Sequence, residues 1–318
     1  MQTDSPSRVD VQGVLRLQDW GLMTATGPDS ASFLNSQLTQ DLLHLGPGQA
    51  RLAGYCSPKG RLLATFWVWN AGADTLALAC SADLLAPTLK RLSMFVLRAK
   101  CKLADASADQ ALFGLAGASV AAWWAAAGGD PAALPAPGQC ARQGAAWLVR
   151  LPDAAACPRA LLLQPAGDPC PALPALSAQD WAWLEVRSGI ARITAATVEQ
   201  FVPQMVNLEL TGGVNFQKGC YPGQEIVARS QYRGTLKRRM VRVRADAALQ
   251  PGAELTHSAD PGQPAGMVVL AAPAPSGAWE ALVELKTALA TTPGELAVGP
   301  VALQQAELPY ALPADAAG

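Results

Sequence analysis

Short apolar runs bounded by Gly, Pro or Asn recur along most of the chain, and this punctuation constrains the fold more than any other feature. Residues 62–69 and 75–80 are two such runs, joined through Asn70-Ala71-Gly72, which is hairpin chemistry. Residues 15–25 read as a strand region, with further strands at 100–103, 112–115, 147–151 and 160–163. Helical spacing intervenes. Gly27-Pro28-Asp29-Ser30 opens a helix with Phe33, Leu34 and Leu38 on one face, Ser81 caps another through about residue 92, and an Ala-rich helix covers 118–127. Ser177 followed by Asp180 opens a helix holding Trp181, Leu184 and Ser188, with Gly189 as its stop. The Pro-, Ala- and Gly-rich stretches 128–140 and 164–176 read as surface loops. The mixture predicts an α+β body with antiparallel sheets, built over residues 1–236 as two intertwined subdomains. From Arg238 the pattern changes. Val241 and Val243 alternate with Arg242 and Arg244, and short apolar runs follow at 267–270, 281–285, 295–298 and 301–303, so a small β-barrel is expected over 237–318.

Half of the 318 residues are hydrophobic and 15% are charged, enough to bury a substantial core in two or three domains. The net charge is −1, and the basic residues cluster only within 233–244, which argues against a general nucleic-acid or membrane binder. Met1-Gln2-Thr3-Asp4-Ser5 lacks a basic then apolar leader, and no run approaches the roughly 20 strongly apolar residues of a membrane span, so a cytoplasmic protein is expected. Seven cysteines with no C-x-x-C pair do not suggest a disulfide framework or a structural zinc site. With only His44 and His257 in the chain, a histidine-rich metal site or a Ser-His-Asp triad loses most of its parts. Chemistry falls to carboxylates, Lys, Tyr and Cys.

Residues 203–229 concentrate what a generic core does not require: Asn207, Glu209, Gly212-Gly213, then Lys218-Gly219-Cys220-Tyr221-Pro222-Gly223-Gln224-Glu225, ending in Arg229. So many glycines and prolines imply a shaped loop, and Pro222-Gly223 fits the centre of a type II turn. Lys218 near Cys220 favours the thiolate that nucleophilic or metal chemistry needs; equally, Cys220 is a small buried hydrophobe if the loop is a connector. Glu225 either binds a donor-rich heterocycle or pairs with Arg229 four residues on.

The run Lys218-Gly219-Cys220-Tyr221-x-Gly223-Gln224-Glu225 resembles the signature of the YgfZ family and its mitochondrial iron–sulfur assembly relatives. The resemblance continues through residues 17–30, Cys56-x-x-Lys59-Gly60, Pro203-Gln204 with Asn207-Leu208, Arg233-Gly234, Lys237-Arg238 and Leu308-Pro309-Tyr310. It implies the fold of the glycine-cleavage aminomethyltransferase: an α+β body around a central folate site, followed by a C-terminal barrel. The implied function is tetrahydrofolate binding in support of iron–sulfur cluster assembly or repair, and thereby of tRNA modification. The implied partners are folate and iron–sulfur enzymes or assembly proteins, met by a monomer without direct contact to nucleic acid or membrane. Trp20 and Trp181 match tryptophans associated with folate, and an indole offers a broad face to a pterin. Arg187, Asn207, Tyr221, Glu225 and Arg229 complete the expected folate-binding set, with Cys220 as the functional thiol and no metal ligands.

Two departures bear on activity. Aminomethyltransferases resemble this chain around Lys59-Gly60-Arg61-Leu62-Leu63 but continue with an acidic pair, where this sequence has Ala64-Thr65. The resemblance therefore implies binding without aminomethyl transfer. Where the related pattern has Glu before a small residue and Gly, this chain has Arg187-Ser188-Gly189. Glu185 lies roughly 200° around the helix and is not expected to substitute. Arg187 either meets a ligand carboxylate or folds into a salt bridge. A one-carbon transferase and a non-catalytic scaffold for assembly partners remain the alternatives. Arg229, Arg233 and Arg238 are further basic candidates for a folate tail or an acidic partner surface.

Overall fold

A computed structural model describes residues 11–232 and 236–313. Residues 1–5, and Arg233-Gly234 of the motif series, lie outside the described residues. The body holds two five-stranded antiparallel sheets. One runs Gly13–Arg16, Gln110–Ala116, Cys157–Pro165, Ala146–Ala154, Cys140–Gln143 in spatial order; the other runs Ala50–Cys56, Leu62–Gly72, Thr75–Ser81, Trp20–Thr26, Lys102–Asp105. A closed six-stranded barrel follows, from Arg238–Ala245 to Val301–Ala306. The fold class is the expected α+β body with a C-terminal barrel.

Strand Leu62–Gly72 shows why its sequence reads as a continuous apolar run and does not alternate. Phe66 and Val68 on one face and Trp67 and Trp69 on the other are all buried, so the sheet is covered on both sides. The hairpin to Thr75–Ser81 forms, but Asn70-Ala71-Gly72 continue the strand and the reversal falls at Ala73-Asp74, with Asp74 at a left-handed φ of 54°. The 15–25 region, by contrast, divides into Gly13–Arg16 and Trp20–Thr26, which belong to different sheets. Residues 17–19 carry the chain between them.

Strands Ala50–Cys56, Cys140–Gln143 and Glu254–His257 were not expected. Ala50–Cys56 is masked by Gly54, which is required because a Cβ there would lie 2.7 Å from Leu62 Cδ2 and 3.0 Å from Leu208 Cδ2. The other two have only four residues each, too few to establish a period. The first helix, Ser30–Asn35, is shorter than the apolar spacing suggests, and Leu38 lies beyond it, bridged to Tyr55.

Helix Ala178–Arg187 begins as expected, with Ser177 Oγ accepting from the Asp180 N–H at 2.9 Å. It stops at Gly189, whose φ of 67° is the left-handed value a helix end favours. This helix packs on barrel strand Gly266–Pro273, so one of its faces looks toward the barrel and another into the body.

Candidate functional site

The body encloses a small cavity where helix Ala178–Arg187 and the chain leaving it meet the two sheets. Trp20, Thr65, Trp67, Arg159, Glu185, Ser188 and Arg192 are among its walls. The space open to water centres is about 20 Å³, room for one or two waters.

Glu185 is 7% exposed and supplies the only carboxylate in the wall. Arg192 meets it with two hydrogen bonds, Nε to Oε1 at 2.8 Å and Nη2 to Oε2 at 3.0 Å. Burial pushes the Glu185 carboxyl above its ordinary pKa, and Arg192 pulls the other way. The same guanidinium donates from Nη2 to Asp19 Oδ2 at 2.7 Å and from Nη1 to Ser81 Oγ at 2.9 Å. Its carbon lies 5.1 Å from the centroid of the Trp20 ring. Ser81 thus precedes its helix without capping it through the side chain; the hydroxyl serves Arg192 instead.

A second buried cation, Arg159, lines the cavity 5.8 Å from the Trp181 ring centroid. Its side chain donates to the Pro152 carbonyl at 3.2 and 3.3 Å, and burial pulls its pKa down to about 10. Thr65, standing where the transferase pattern is acidic, accepts the Ile193 N–H on Oγ1 at 3.1 Å.

The expected site residues divide among three places. Trp20 reaches the cavity, whereas Trp181 is buried against Gly114 in the core, where a Cβ on that glycine would lie 2.7 Å from the indole. Arg187 turns the other way, to Glu280 of the barrel at 3.3 Å and over the Trp183 ring at 5.4 Å. Of the two alternatives read from the sequence, the salt bridge is the one formed. Glu185, not expected to substitute, reaches the interior because it lies on the opposite side of the helix from Arg187.

Asn207 is fully buried at a left-handed φ of 55°, donating from Nδ2 to the Met240 carbonyl at 2.8 Å. Its amide also donates to Tyr310 Oη at 3.3 Å, and the Tyr310 hydroxyl in turn donates to the Gly189 carbonyl at 2.7 Å. Asn207 and the Leu308-Pro309-Tyr310 segment therefore fasten the barrel to the body. Arg239 contributes a buried ion pair with Glu209, and Arg238 pairs with Glu284 at 2.9 Å.

The third place is the glycine-rich loop. Gln224 N–H donates to the Tyr221 carbonyl at 3.2 Å and Gly223 has φ 78°, so Tyr221-Pro222-Gly223-Gln224 forms the turn that its sequence predicts. Helix Gln224–Tyr232 follows directly, with Glu225 in its first turn and Arg229 in its last, both exposed and not ion-paired to one another. Lys218 Nζ donates to the carbonyls of Asn35 and of Leu38, the latter at 2.8 Å, and sits 4.8 Å from the centroid of the buried Tyr221 ring. Burial brings the Lys218 pKa down to about 8, against the opposing pull of Asp41 and Cys220. Cys220 itself is exposed, so the buried-hydrophobe reading of this cysteine does not hold. Among the described residues no group of three or more His, Cys, Asp or Glu converges in a metal-ligating cluster.

The chain is 33% identical over 246 residues to the tRNA-modifying protein YgfZ of Photorhabdus laumondii, covering 75% of this chain and 72% of that one. It is 34% identical over 266 residues to the Edwardsiella ictaluri protein of the same name, covering 76% and 73%. The chain belongs to the YgfZ family. No family model matches it. Its fold aligns with the glycine cleavage system aminomethyltransferase T from Bartonella henselae at a TM-score of 0.73 and 16% identity, over 94% of this chain and 86% of that one. The YgfZ-family chain therefore has an aminomethyltransferase-like fold. No helix among its described residues is long and apolar enough to cross a membrane.

Proposed function

We propose that this YgfZ-family protein binds a reduced folate in the central cavity and supports iron–sulfur enzymes, and through them tRNA modification, without transferring aminomethyl groups. The observation that carries the reading is the cavity's polar set: one buried carboxylate, Glu185, and the guanidiniums of Arg159 and Arg192, beside the indole of Trp20. A pterin ring presents paired N–H donors, an acceptor oxygen and two flat faces, and these residue types complement each of them. The residues fit the ligand in chemistry; the space of about 20 Å³ holds one or two waters, so a pterin enters only as the walls part. Bound folate would supply a one-carbon carrier, while Glu185 and Trp20 orient the ring and the surrounding core keeps water out.

Thr65 supports the absence of transferase chemistry, because a hydroxyl already engaged with a backbone N–H is a poor general base. Cys220 offers an exposed thiol beside Lys218 for redox or cluster chemistry, and an iron–sulfur cluster passing through it takes its remaining ligands from a partner. The name of the relatives supports the link to tRNA. Contact with tRNA is made by client enzymes, in the cytoplasm, and the protein acts as a monomer.

The test is complementation of cells lacking their own family member. Wild type is expected to restore the tRNA nucleosides that iron–sulfur enzymes make, measured by mass spectrometry, and a folded Cys220→Ala variant to restore few of them. Full restoration by Cys220→Ala would remove the thiol from the function.

A further inference from the structure

Helix Ala82–Ser93 ends in a turn that carries three large apolar side chains into solvent: Met94 is 60% exposed, Phe95 45% and Leu97 85%. Val96 packs on the core and holds the turn in place, whereas Leu97 adds almost no buried surface to the fold. A run of exposed apolar residues of this kind marks an interaction surface. Cations flank the tip. Lys90, Arg98, Lys100 and Lys102 are exposed, none pairs with a carboxylate among the described residues, and residues 90–102 contain no Asp or Glu. The nearest acids serve the backbone: Asp29 accepts the Lys100 N–H at 2.7 Å, and Asp105 accepts that of Ser107 at 2.8 Å.

We propose that this turn is a docking surface for a protein partner that presents an apolar recess within an acidic rim. Met, Phe and Arg are residue types that interface cores favour, and a few large side chains on one turn are enough to anchor a complex. Other surfaces fit less well. A single aromatic among aliphatic side chains offers little stacking to nucleic-acid bases, and three side chains on one turn bury little apolar surface in a lipid bilayer. The surplus of positive charge selects an acidic partner and speeds its encounter. Contacts tie the turn to the cysteine loop: Arg91 donates to the buried Tyr55 hydroxyl, Tyr55 pairs with Leu38, and the Leu38 carbonyl accepts from Lys218 Nζ at 2.8 Å. The inference rests on the reading that the protein serves protein clients, and it names where such a client is held.

Complementation of cells lacking their own family member tests this on the full chain. Phe95→Ser with Leu97→Ser, and separately Arg98→Glu with Lys100→Glu, should each lower the restored tRNA nucleosides by about fivefold or more, the effect of losing interface anchors. Circular dichroism and urea midpoints of both pairs should match wild type. Photoreactive p-benzoylphenylalanine in place of Leu97 should cross-link in those cells to one acidic protein, identified by mass spectrometry. That adduct should disappear when Arg98→Glu and Lys100→Glu are added. Full restoration by both pairs, or no such adduct, would overturn the docking surface. So would an adduct to a second copy of this chain, or Leu97-dependent binding of purified wild type to total tRNA or to phosphatidylcholine–phosphatidylglycerol vesicles. Failure of wild type to restore the nucleosides would instead remove the functional reading, and the cross-link alone then decides the surface.

Discussion

Gly223 and Gly60 pack backbone to backbone: a Cβ on Gly223 would lie 2.7 Å from Gly60 Cα and 2.4 Å from the Ser57 carbonyl oxygen. The Cys56-x-x-Lys59-Gly60 turn and the cysteine loop, more than 150 residues apart in sequence, are thus two halves of one packed unit. Gly223 is also at φ 78°, so Gly223→Ala combines left-handed strain with overpacking and should cost about 2–4 kcal/mol, read as a lower urea midpoint.

Arg187→Ala should leave tetrahydrofolate affinity within twofold of wild type, because Arg187 faces Glu280 and not the cavity. Glu280 retains Arg242 at 2.7 Å, so the loss of stability should be about 1 kcal/mol. A large drop in affinity at unchanged stability would place Arg187 on the ligand after all.

Asn207→Ala should destabilise the protein by about 2 kcal/mol, since it leaves the Met240 carbonyl without its donor and puts alanine at a left-handed φ. Equilibrium unfolding in urea measures this. Ligand affinity per folded molecule should be unchanged.

Thiol labelling under native conditions should sort the seven cysteines by burial. Cys220 and Cys170 are exposed and should react with a maleimide within minutes. Burial pushes Cys56 and Cys80 up to about 12, and these should stay unmodified until the protein unfolds. Mass spectrometry of the labelled peptides gives the order.

Lys218 carries a pH signature. Its folded pKa, about 8, lies below its unfolded value, so between about 8 and the ordinary lysine range the unfolded chain binds more protons and stability rises with pH. The penalty for burying the cation is present in full below pH 8. Lys218→Met should abolish this rise, measured as the difference in urea midpoint between the two proteins from pH 7.5 to 10.

The fold was legible where one period dominated. The 62–69 and 75–80 hairpin, the Ser177 cap, the Gly189 stop and the type II turn at Pro222-Gly223 all rest on local chemistry, and each forms. Residues 15–25 misled because an apolar run does not record which sheet it joins. Gly54 hid a strand because what requires it is the approach of Leu62 and Leu208, which tertiary packing alone creates.

The site was legible by motif and less so by role. Asn207 and Tyr310 belong to motif segments yet fasten the barrel to the body. Glu185 was set aside on the helical angle separating it from Arg187. That same angle, read with Arg187 directed to Glu280 of the barrel, turns Glu185 to the cavity in the body. Arg192 carries no motif, and its tie to Glu185 exists only once the chain has turned at Gly189.

The most direct test of the account is calorimetric titration of the purified wild-type protein with tetrahydrofolate. Saturable binding of one tetrahydrofolate molecule per chain is the predicted result. No measurable heat across millimolar ligand would contradict the folate site.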